Sequence, residues 1–241
     1  MASVAKSCHN WDELQMNSII ATYRAGVTLV GGAPVSGQQL QDSLAIAPHL
    51  VAADGGADRA LKLGHEPDLV IGDLDSISRQ ARQRMGSRVH HITEQASTDF
   101  DKALRSISAP FVLAVGFTGA RLDHGLAALN TLLRHPDRRC LLLSGSDVVL
   151  AAPPRISLRL PNRTRLSLFP MAPVTGRSRG LRWPIDGLDM TPWGQIGTSN
   201  ITTGDLVELE FDQPGMLIIL PRNRLDAVLD GLGLPGHVPG R

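Results

Sequence analysis

Apolar and polar residues follow one pattern up to about residue 150 of the chain and a different pattern after it. In the first part, short apolar runs that end in glycine or aspartate alternate with segments whose apolar residues recur every three or four positions. Such runs are typical of buried strands, and the longer repeat is typical of amphipathic helices. The alternation predicts a sheet with helices on its faces. The predicted strands are residues 27–30, 49–53, 68–71, 111–115 and 141–143.

Two of the predicted helices have clear apolar stripes. The first follows Ser97 and Thr98, either of which is a suitable N-cap, and the second follows Asp123 and ends at the breaker His135-Pro136. A less regular helix is predicted over residues 35–47. The stripes consist of Phe100, Ala103, Leu104 and Ile107 in the first helix and of Leu126, Leu129, Leu132 and Leu133 in the second.

After Pro153 and Pro154, apolar residues alternate with polar ones, and glycine and proline are frequent. This period of two predicts antiparallel strands with one face in water. The predicted fold class is therefore α/β, with an N-terminal α/β domain and a C-terminal all-β domain. The predicted domains are residues 26–150 and 151–241, preceded by an N-terminal extension, residues 1–25, that has no assignment.

Composition narrows the possible functions. Lysine and arginine total 24 against 23 aspartate and glutamate, a net charge of +1, so broad nucleic-acid binding is not expected. No apolar run approaches the roughly 18 residues of a membrane-spanning helix, and the N-terminus has no apolar secretory segment. Cys8 and Cys140 are too few for a disulfide framework or a zinc site. These features predict a cytoplasmic protein that binds neither nucleic acid nor membrane.

Seven arginines and no acidic residue lie between Arg155 and Arg182. A run of this kind can form an anion-binding face, but a solvated strand face is the commoner origin. We therefore assign this stretch no function.

Acidic residues follow several of the predicted strands at the point where each strand ends. Asp54 follows one strand, Asp73 and Asp75 follow the next, and Asp123 follows a later strand together with Arg121. Ligands of open α/β sheets bind at the carboxyl ends of the strands, and glycines there let backbone N–H groups approach phosphate oxygens. The sequence thus predicts a polar site at this edge of the sheet.

Asp73 and Asp75 are separated by one residue, so both carboxylates can face the same point. Two hard oxygen ligands in this arrangement suit Mg²⁺, which takes further ligands from substrate phosphates. Asp99, in the first turn of its helix, is a candidate third ligand. Taken singly, each acid is more often a turn or helix-start residue, but recurrence at three strand ends favours a metal-assisted phosphate site.

The same segments resemble, in order and spacing, the successive motifs of the thiamine pyrophosphokinase (thiamine diphosphokinase) family. Two later segments resemble the β-domain signatures of that family, and the similarity extends over residues 27–220. One departure is Ala120, which stands where the family often has a glycine. The matching segments are Ala53-Asp54-Gly55-Gly56-Ala57, Pro67-Asp68-Leu69-Val70-Ile71-Gly72-Asp73-Leu74-Asp75-Ser76, Ser97-Thr98-Asp99-Phe100-Asp101-Lys102-Ala103-Leu104, Gly119-Ala120-Arg121-Leu122-Asp123-His124, Gly180-Leu181-Arg182-Trp183-Pro184-Ile185 and Thr198-Ser199-Asn200.

The resemblance implies an enzyme that transfers the pyrophosphoryl group of ATP to the hydroxyl of thiamine, giving thiamine diphosphate and AMP. It implies a Rossmann-like α/β domain that holds ATP with Mg²⁺ and a C-terminal β-sandwich domain that contacts thiamine. It also implies a homodimer whose sites lie between the subunits.

By position, the resemblance implies roles for individual residues. Asp73, Asp75 and Asp99 match the acids that bind Mg²⁺. The residues predicted to act around the phosphates and the reacting hydroxyl are Asp54, Gln95, Arg121 and Asp123. The residues predicted to contact ATP are Gly55, Gly56, Thr98 and Lys102, and those predicted to face thiamine are Trp183, Ser199 and Asn200.

Three roles stay open at this stage. Asp123 and Asp54 are both candidates for the base that takes the proton of the attacking hydroxyl. Lys102 either reaches a phosphate or forms an i, i+3 ion pair with Asp99. Trp183 and Trp193 offer an aromatic face to the thiazolium charge of thiamine, but core packing is slightly favoured for both.

Two other functions compete with this interpretation. A metal-dependent phosphatase of the haloacid-dehalogenase type also places two acids after a strand, but near the start of its fold, and its later Ser/Thr and Lys motifs are not found here in order. A non-catalytic module that senses nucleotide or thiamine does not need the full set of acids with Arg121. Turnover with ATP and Mg²⁺ separates the enzyme from the sensor.

Overall fold

A computed structural model describes residues 19–235 of the chain. Most of the predicted N-terminal extension, including Cys8, and the last six residues lie outside this range. The strands of the described range are β1 (Ala21–Thr22), β2 (Val27–Val30), β3 (His49–Ala53), β4 (Leu69–Gly72), β5 (Val89–His91), β6 (Ile107–Ser108), β7 (Val112–Val115), β8 (Cys140–Leu143), β9 (Asp147–Ala151), β10 (Arg155–Arg159), β11 (Arg165–Pro170), β12 (Gly176–Arg179), β13 (Gly197–Ile201), β14 (Leu206–Phe211) and β15 (Met216–Pro221). The helices are α1 (Gly37–Ile46), α2 (Gly56–Lys62), α3 (Arg79–Met85), α4 (Asp99–Ser106), α5 (Leu122–Arg134) and α6 (Leu225–Gly231).

Helices α1, α3 and α4 begin where a side chain accepts a free N–H group of the first turn. Ser36 caps α1 and forms a capping box with Gln39, and Thr98, rather than Ser97, caps α4. Of the six helices, α1, α4 and α5 are the ones that the apolar pattern predicts; α2, α3 and α6 have seven residues each, too short for a clear stripe. None of the helices in the described part of the chain is long and apolar enough for a bilayer crossing.

A seven-stranded sheet with the order β13-β11-β15-β9-β8-β7-β2 runs through the molecule. Strands β2, β7 and β8 are parallel, whereas every pair from β8 through β9, β15 and β11 to β13 is antiparallel. Strands β3, β4 and β5 form a parallel set, and β3 lies beside β2, where the His49 N–H donates to Gly26 O at 3.4 Å. The α/β part of the predicted fold class is confirmed.

The β-rich half has a second, three-stranded antiparallel sheet with the order β10-β14-β12. Ile156 and Leu158 of β10 are buried in the same apolar cluster as Leu166 and Leu168 of β11 in the large sheet. The alternation of apolar and polar residues thus turns one face of each strand toward a shared core. This β-rich half follows the α/β half, as the sequence predicts.

Strand β9 connects the two halves, because it pairs with β8 of the α/β half and with β15 of the β-rich half. The predicted boundary between residues 150 and 151 lies inside this strand, and the large sheet continues across it. The assignment of separate domains on either side of this position stays a prediction.

The arginine-rich stretch lies largely on the outer face of the three-stranded sheet. Arg155 and Arg179 are exposed there and pair with Glu210 at 2.7 Å and Glu208 at 3.6 Å, both on the central strand β14. The acidic residues that pair with these arginines therefore lie on the neighbouring strand rather than in the arginine-rich stretch. These residues confirm the interpretation as a solvated strand face.

Candidate active site

A cavity of about 620 Å³ opens where strands β2, β3, β4 and β7 end. Its walls come from the loops after these strands, from the start of α4 and from one side of α5. The predicted site residues that line it are Asp54, Gly55, Asp73, Thr98, Asp99 and Arg121. Residues that the sequence places at several strand ends are thus brought to one opening, as expected for an open α/β sheet.

Three carboxylates form a close cluster, and two of them, Asp54 and Asp73, line this cavity. One oxygen each of Asp54, Asp73 and Asp75 lies within 4.8 Å of the others. Asp54 is buried, Asp73 is half-buried and Asp75 is exposed, so the cluster reaches from the protein interior to solvent. Carboxylate oxygens are hard ligands, so this donor set fits Mg²⁺. Asp54, predicted as a catalytic residue, therefore lies beside the predicted metal ligands Asp73 and Asp75.

Asp54 also shapes the loop that carries the other two acids. Its two oxygens accept the N–H groups of Ser76 at 2.9 Å and Ile77 at 3.0 Å. Its backbone is left-handed, with φ of +43°, a conformation that Asp tolerates better than most residues. Burial raises the pKa of Asp54 to about 6, an effect that the two backbone N–H groups oppose and the charge of Asp99 increases.

Asp73 is held by two side chains from the segment around α4. Lys102 Nζ donates to Asp73 Oδ2 at 2.8 Å, and Gln95 Nε2 donates to the same oxygen at 3.3 Å. Burial raises the pKa of Asp73, but its contacts with Lys102 outweigh burial and bring the pKa below its usual value. Gln95 therefore reaches the acid cluster, although it is not among the described residues that line the cavity.

Lys102 is almost fully enclosed, with 1% of its side chain exposed. Besides Asp73 it bonds Asp99 Oδ1 at 3.3 Å, so it forms the predicted i, i+3 ion pair and extends it to a second acid. Burial lowers the pKa of Lys102, but the hydrogen bond to Asp73 and the charge of Asp99 outweigh burial, and the pKa is raised. The ammonium is therefore charged and is shared by two carboxylates.

Asp99 approaches the cluster over the end of β4. Its Oδ1 accepts the N–H of Asp73 at 3.2 Å. Gly72, the last residue of β4, lies between Asp54 and Asp99. It has no room for a side chain, because a Cβ there would lie 2.8 Å from Asp54 Cβ and 3.0 Å from Asp99 Oδ1. Glycine at this position thus permits Asp54 and Asp99 to meet at the strand end.

Helix α2 begins at Gly56, and Gly55 is its N-cap. Gly55 lines the cavity, and Gly56 is packed against β2, where a Cβ would lie 2.1 Å from Val30 O. Thr98 also lines the cavity, and its Oγ1 accepts the N–H of Asp101 at 3.3 Å. Of these three residues, Gly55 and Thr98 face the space that a ligand would enter.

Arg121 and Asp123 form an ion pair at the start of α5, where both side chains are largely exposed. Arg121 Nε donates to Asp123 Oδ1 at 3.1 Å. The hydrogen bond and the charge of Arg121 lower the pKa of Asp123. The same hydrogen bond and the charge of Asp123 raise the pKa of Arg121. Arg121 lines the cavity, which places a guanidinium where an anion can be bound.

The predicted thiamine-facing residues lie in the β-rich half, and none of the three is among the described residues that line the cavity. Asn200 is buried and binds the backbone of Trp183 with both ends of its amide. Its Nδ2 donates to Trp183 O at 2.6 Å, and its Oδ1 accepts the Trp183 N–H at 3.2 Å. Ser199 is exposed, with φ of +60°. Asn200 therefore fixes Trp183 at the surface.

The prediction that Trp183 and Trp193 belong to the core is wrong. Their side chains are 52% and 78% exposed, and Arg182 covers the Trp183 ring with its guanidinium carbon 5.0 Å from the ring centre. Both tryptophans lie in the segment between β12 and β13, outside the two sheets whose aliphatic side chains fill the core. Both rings are thus at the surface, and that of Trp183 already holds a cation, the Arg182 guanidinium, over one face.

Several lining residues were not predicted as part of the site. Gly31, Gly32 and Ala33 follow β2 and line the cavity, although the sequence suggests only a strand-ending break. Phe117, after β7, stacks on Phe100 with ring centres 4.2 Å apart, and nothing in its sequence context indicates this. His124, in the first turn of α5, also lines the cavity. The shared position after a parallel strand is the signal that could have identified the Gly31 loop.

Known families and proteins match both halves of the chain. The model of the thiamin pyrophosphokinase catalytic domain matches residues 40–142, and that of the thiamin pyrophosphokinase vitamin B1 binding domain matches residues 155–216. Thiamine pyrophosphokinase 1 of Arabidopsis thaliana is 27% identical over 224 residues, which cover 78% of this chain and 82% of the relative. Thiamin pyrophosphokinase 1 of Caenorhabditis elegans is 27% identical over 184 residues, covering 68% and 75%.

Solved structures share the fold. Thiamin pyrophosphokinase from Candida albicans aligns with a TM-score of 0.67 at 17% identity and covers 82% of this chain and 89% of that one. Yeast thiamin pyrophosphokinase aligns with a TM-score of 0.66 at 16% identity and covers 89% and 95%. At these identities the likeness shows a common architecture of an α/β part and a β-rich part.

Proposed function

The chain belongs to the thiamine pyrophosphokinase family, and from this premise we propose how its residues divide the work of the reaction. The enzyme transfers the pyrophosphoryl group of ATP to the hydroxyl of thiamine, which gives thiamine diphosphate and AMP. The observation that carries this function is the cluster of three carboxylates within 4.8 Å of one another, two of which line the cavity. A phosphatase and a non-catalytic sensor, the two alternatives, are not favoured by the family match.

Mg²⁺ is proposed as the metal of this site, with Asp73, Asp75 and Asp99 as its protein ligands. Asp73 and Asp75 belong to the close acid cluster, whose hard oxygens suit a dication, and Asp99 reaches it by accepting the N–H of Asp73 at 3.2 Å. The buried Asp54 holds the loop of Asp73 and Asp75 in place. When bound, Mg²⁺ neutralises phosphate charge during the transfer. The residues of the chain supply the orientation, since Gln95 and Lys102 both donate to Asp73 Oδ2.

ATP is the co-substrate, and its phosphates are proposed to lie in the cavity beside Gly55, Thr98 and Arg121. Gly56 is proposed to contribute indirectly, because its lack of a side chain lets the first turn of α2 pack against β2. Arg121 can offer paired N–H groups to a phosphate whose charge develops during transfer. Lys102 is proposed to contribute to ATP binding indirectly, by orienting Asp73 and Asp99, because its ammonium is hydrogen-bonded to both carboxylates.

Asp123 is proposed as the base that receives the proton of the thiamine hydroxyl. The other candidate, Asp54, uses both oxygens for backbone N–H groups and is buried, so its role is to shape the loop. Asp123 is exposed and pairs with Arg121, which lines the cavity, so its carboxylate has an oxygen within reach of an incoming hydroxyl.

A homodimer is proposed in which thiamine binds between the α/β half of one subunit and the β-rich half of the other. This arrangement accounts for the separation of Trp183, Ser199 and Asn200 from the cavity in one chain. It also accounts for the exposed apolar side chains Leu122 and Leu126 near the cavity, which are 80% and 54% exposed.

A cytoplasmic location is part of the proposal, because the reaction consumes ATP.

A product assay with ATP, Mg²⁺ and thiamine tests the function. Equal amounts of AMP and thiamine diphosphate are expected, since attack at the β-phosphorus releases AMP. ADP with thiamine monophosphate would contradict the proposed transfer, and binding of both substrates without turnover would support the sensor instead.

The Asp73→Asn variant tests the metal site in the same assay. Loss of turnover in a protein that stays folded is expected, because the neutral amide removes a charged oxygen ligand. The Tm is expected to fall as well, since Asp73 also pairs with the buried Lys102. Asp226→Asn is the matched control, since Asp226 is exposed on α6. Normal turnover by Asp73→Asn would contradict the metal assignment.

A further inference from the structure

A buried group of charged side chains lies behind the candidate active site, on the opposite face of α4. At its centre is Asp101, whose side chain is 1% exposed. Residues two apart on a helix differ by about 200° around its axis, so Asp101 points away from the side on which Asp99 lies. Within the described part of the chain, Asp101 is not among the residues that line the cavity.

Three side chains surround the Asp101 carboxylate. Arg105 Nη1 donates to Oδ1 at 3.2 Å, His135 Nε2 lies 3.1 Å from the same oxygen, and Arg134 Nη1 donates to Oδ2. A buried carboxylate is costly unless it is paired in this way. Because Arg134 and His135 stand at the end of α5, Asp101 joins α4 to the helix that begins beside Arg121 and Asp123.

Arg105 extends the connection to the loop before α4. Its Nη2 donates to Glu94 Oε1 at 2.8 Å, and its Nη1 donates to Ser97 Oγ at 2.8 Å. Glu94 in turn accepts the N–H of Ala96 at 2.8 Å. Gln95, whose amide reaches Asp73, lies inside this fastened loop. Gln95 thus lies between two residues, Glu94 and Ser97, that Arg105 binds.

We propose that Asp101 and Arg105 are positioning residues that hold Gln95, Asp99 and Asp123 in one arrangement. Each of these three lies on a segment bound to the Asp101–Arg105 pair: the loop 94–98, helix α4 and helix α5. The pair touches no cavity-lining carboxylate, so it acts through the segments. The inference rests on the proposed function, because that function assigns Gln95, Asp99 and Asp123 to the reaction.

Arg105→Lys is the first test. Lysine keeps the charge, but a single ammonium lacks the planar fork that bridges Asp101, Glu94 and Ser97. We expect kcat to fall about 10- to 100-fold, as for other residues that orient a reactive group. The KM for thiamine is expected to stay within about twofold, because the predicted thiamine-facing residues lie in the other half.

Leu132→Ala is the matched control, since Leu132 is a buried residue of α5 outside the charged group. It lowers stability by lost packing and leaves the ion pairs in place. Normal kcat in Leu132→Ala with reduced kcat in Arg105→Lys, each per folded molecule, supports positioning. Equal losses of kcat in both variants, or normal kcat in Arg105→Lys, overturn it.

Hydrogen exchange gives a readout that does not depend on activity. Faster exchange of amides 94–101 is expected in Arg105→Lys and in a second variant, Asp101→Asn, but not in Leu132→Ala. Unchanged exchange of this segment in both charge variants overturns the inference. Failure of the wild-type enzyme to convert thiamine contradicts the proposed function instead, so the two failures are distinct.

Discussion

Lys102 Nζ lies 2.8 Å from Asp73 Oδ2, although 29 positions separate the two residues in the chain. The ammonium is enclosed on α4, and the carboxylate follows β4. A second contact, at 3.3 Å, joins the same ammonium to Asp99. One buried cation therefore balances two of the acids that the sequence assigns to Mg²⁺.

Replacing Lys102 with Gln leaves Asp73 and Asp99 close together without this cation. We expect the metal-free variant to be less stable by on the order of 3 kcal/mol, because an uncompensated buried charge remains. Mg²⁺ is expected to raise the Tm of Lys102→Gln more than that of the wild type, since a dication restores the balance. Thermal unfolding in EDTA and in Mg²⁺ measures both effects.

Lys62→Gln serves as the control for this comparison, because Lys62 is exposed at the end of α2. Its Mg²⁺-dependent change in Tm is expected to equal that of the wild type. A Lys102→Gln protein that responds to Mg²⁺ no more than the control would count against a metal at Asp73 and Asp99.

Subunit mixing tests whether each site is built from two chains. Asp73→Asn and Trp183→Ala subunits, carrying different tags, are co-expressed and the heterodimer is purified through both tags. If sites form between subunits, one site carries both changes and the other carries neither, so about half the wild-type activity is expected at low thiamine.

Each homodimeric variant is the control for that experiment and is expected to be nearly inactive at low thiamine. An inactive heterodimer would mean that both changes fall in sites made from one chain. A protein that sediments as a monomer under assay conditions would contradict the dimer directly.

Acid stability is expected to depend on Asp101. Burial alone raises the pKa of this carboxyl, but the hydrogen bond from His135 and the charges of Arg134 and Arg105 outweigh burial and hold the pKa below its ordinary value of 3.8. A carboxyl with a lowered pKa stabilises the fold above its unfolded pKa, and this contribution is lost as the pH falls through the folded value. The wild type should therefore lose stability below pH about 4.

Asp101→Asn removes this contribution. We expect the variant to be less stable than the wild type by roughly 3 kcal/mol at pH 7, with a difference that shrinks as the pH falls below about 4. Urea unfolding between pH 3 and pH 7 measures the difference. A gap that stays constant over this range would show that the charge of Asp101 is not what stabilises the fold.

The start of α2 is expected to tolerate no side chain at Gly56. An added Cβ would lie 2.1 Å from Val30 O, so Gly56→Ala must push the helix away from β2, at a cost of about 1–3 kcal/mol or more. Gly37→Ala, at the start of α1, is the control, because its Cβ would meet only Leu63 Cδ2 at 3.8 Å. Chemical denaturation compares the two, and equal stabilities would refute the packing argument.

Local sequence determined much of this protein. Periodicity predicted the main strands of the α/β half, helices α4 and α5, and the alternating strands after residue 151, because one face of each element must be buried. The Asp73-Leu74-Asp75 segment and the motifs around Asp54 and Asp99 likewise indicated a phosphate and metal site. Short helices such as α2, and the continuation of the sheet through β9, leave no comparable pattern.

Only the tertiary structure decided how the chemistry is arranged. The sharing of Lys102 between Asp73 and Asp99, the loop contacts of Asp54 and the exposure of Trp183 depend on which strands become neighbours. Spacing along a chain determines which residues share a face within one helix or strand. Contacts between elements depend on the packing of the whole sheet, because residues 29 positions apart meet only after β4 and α4 have docked.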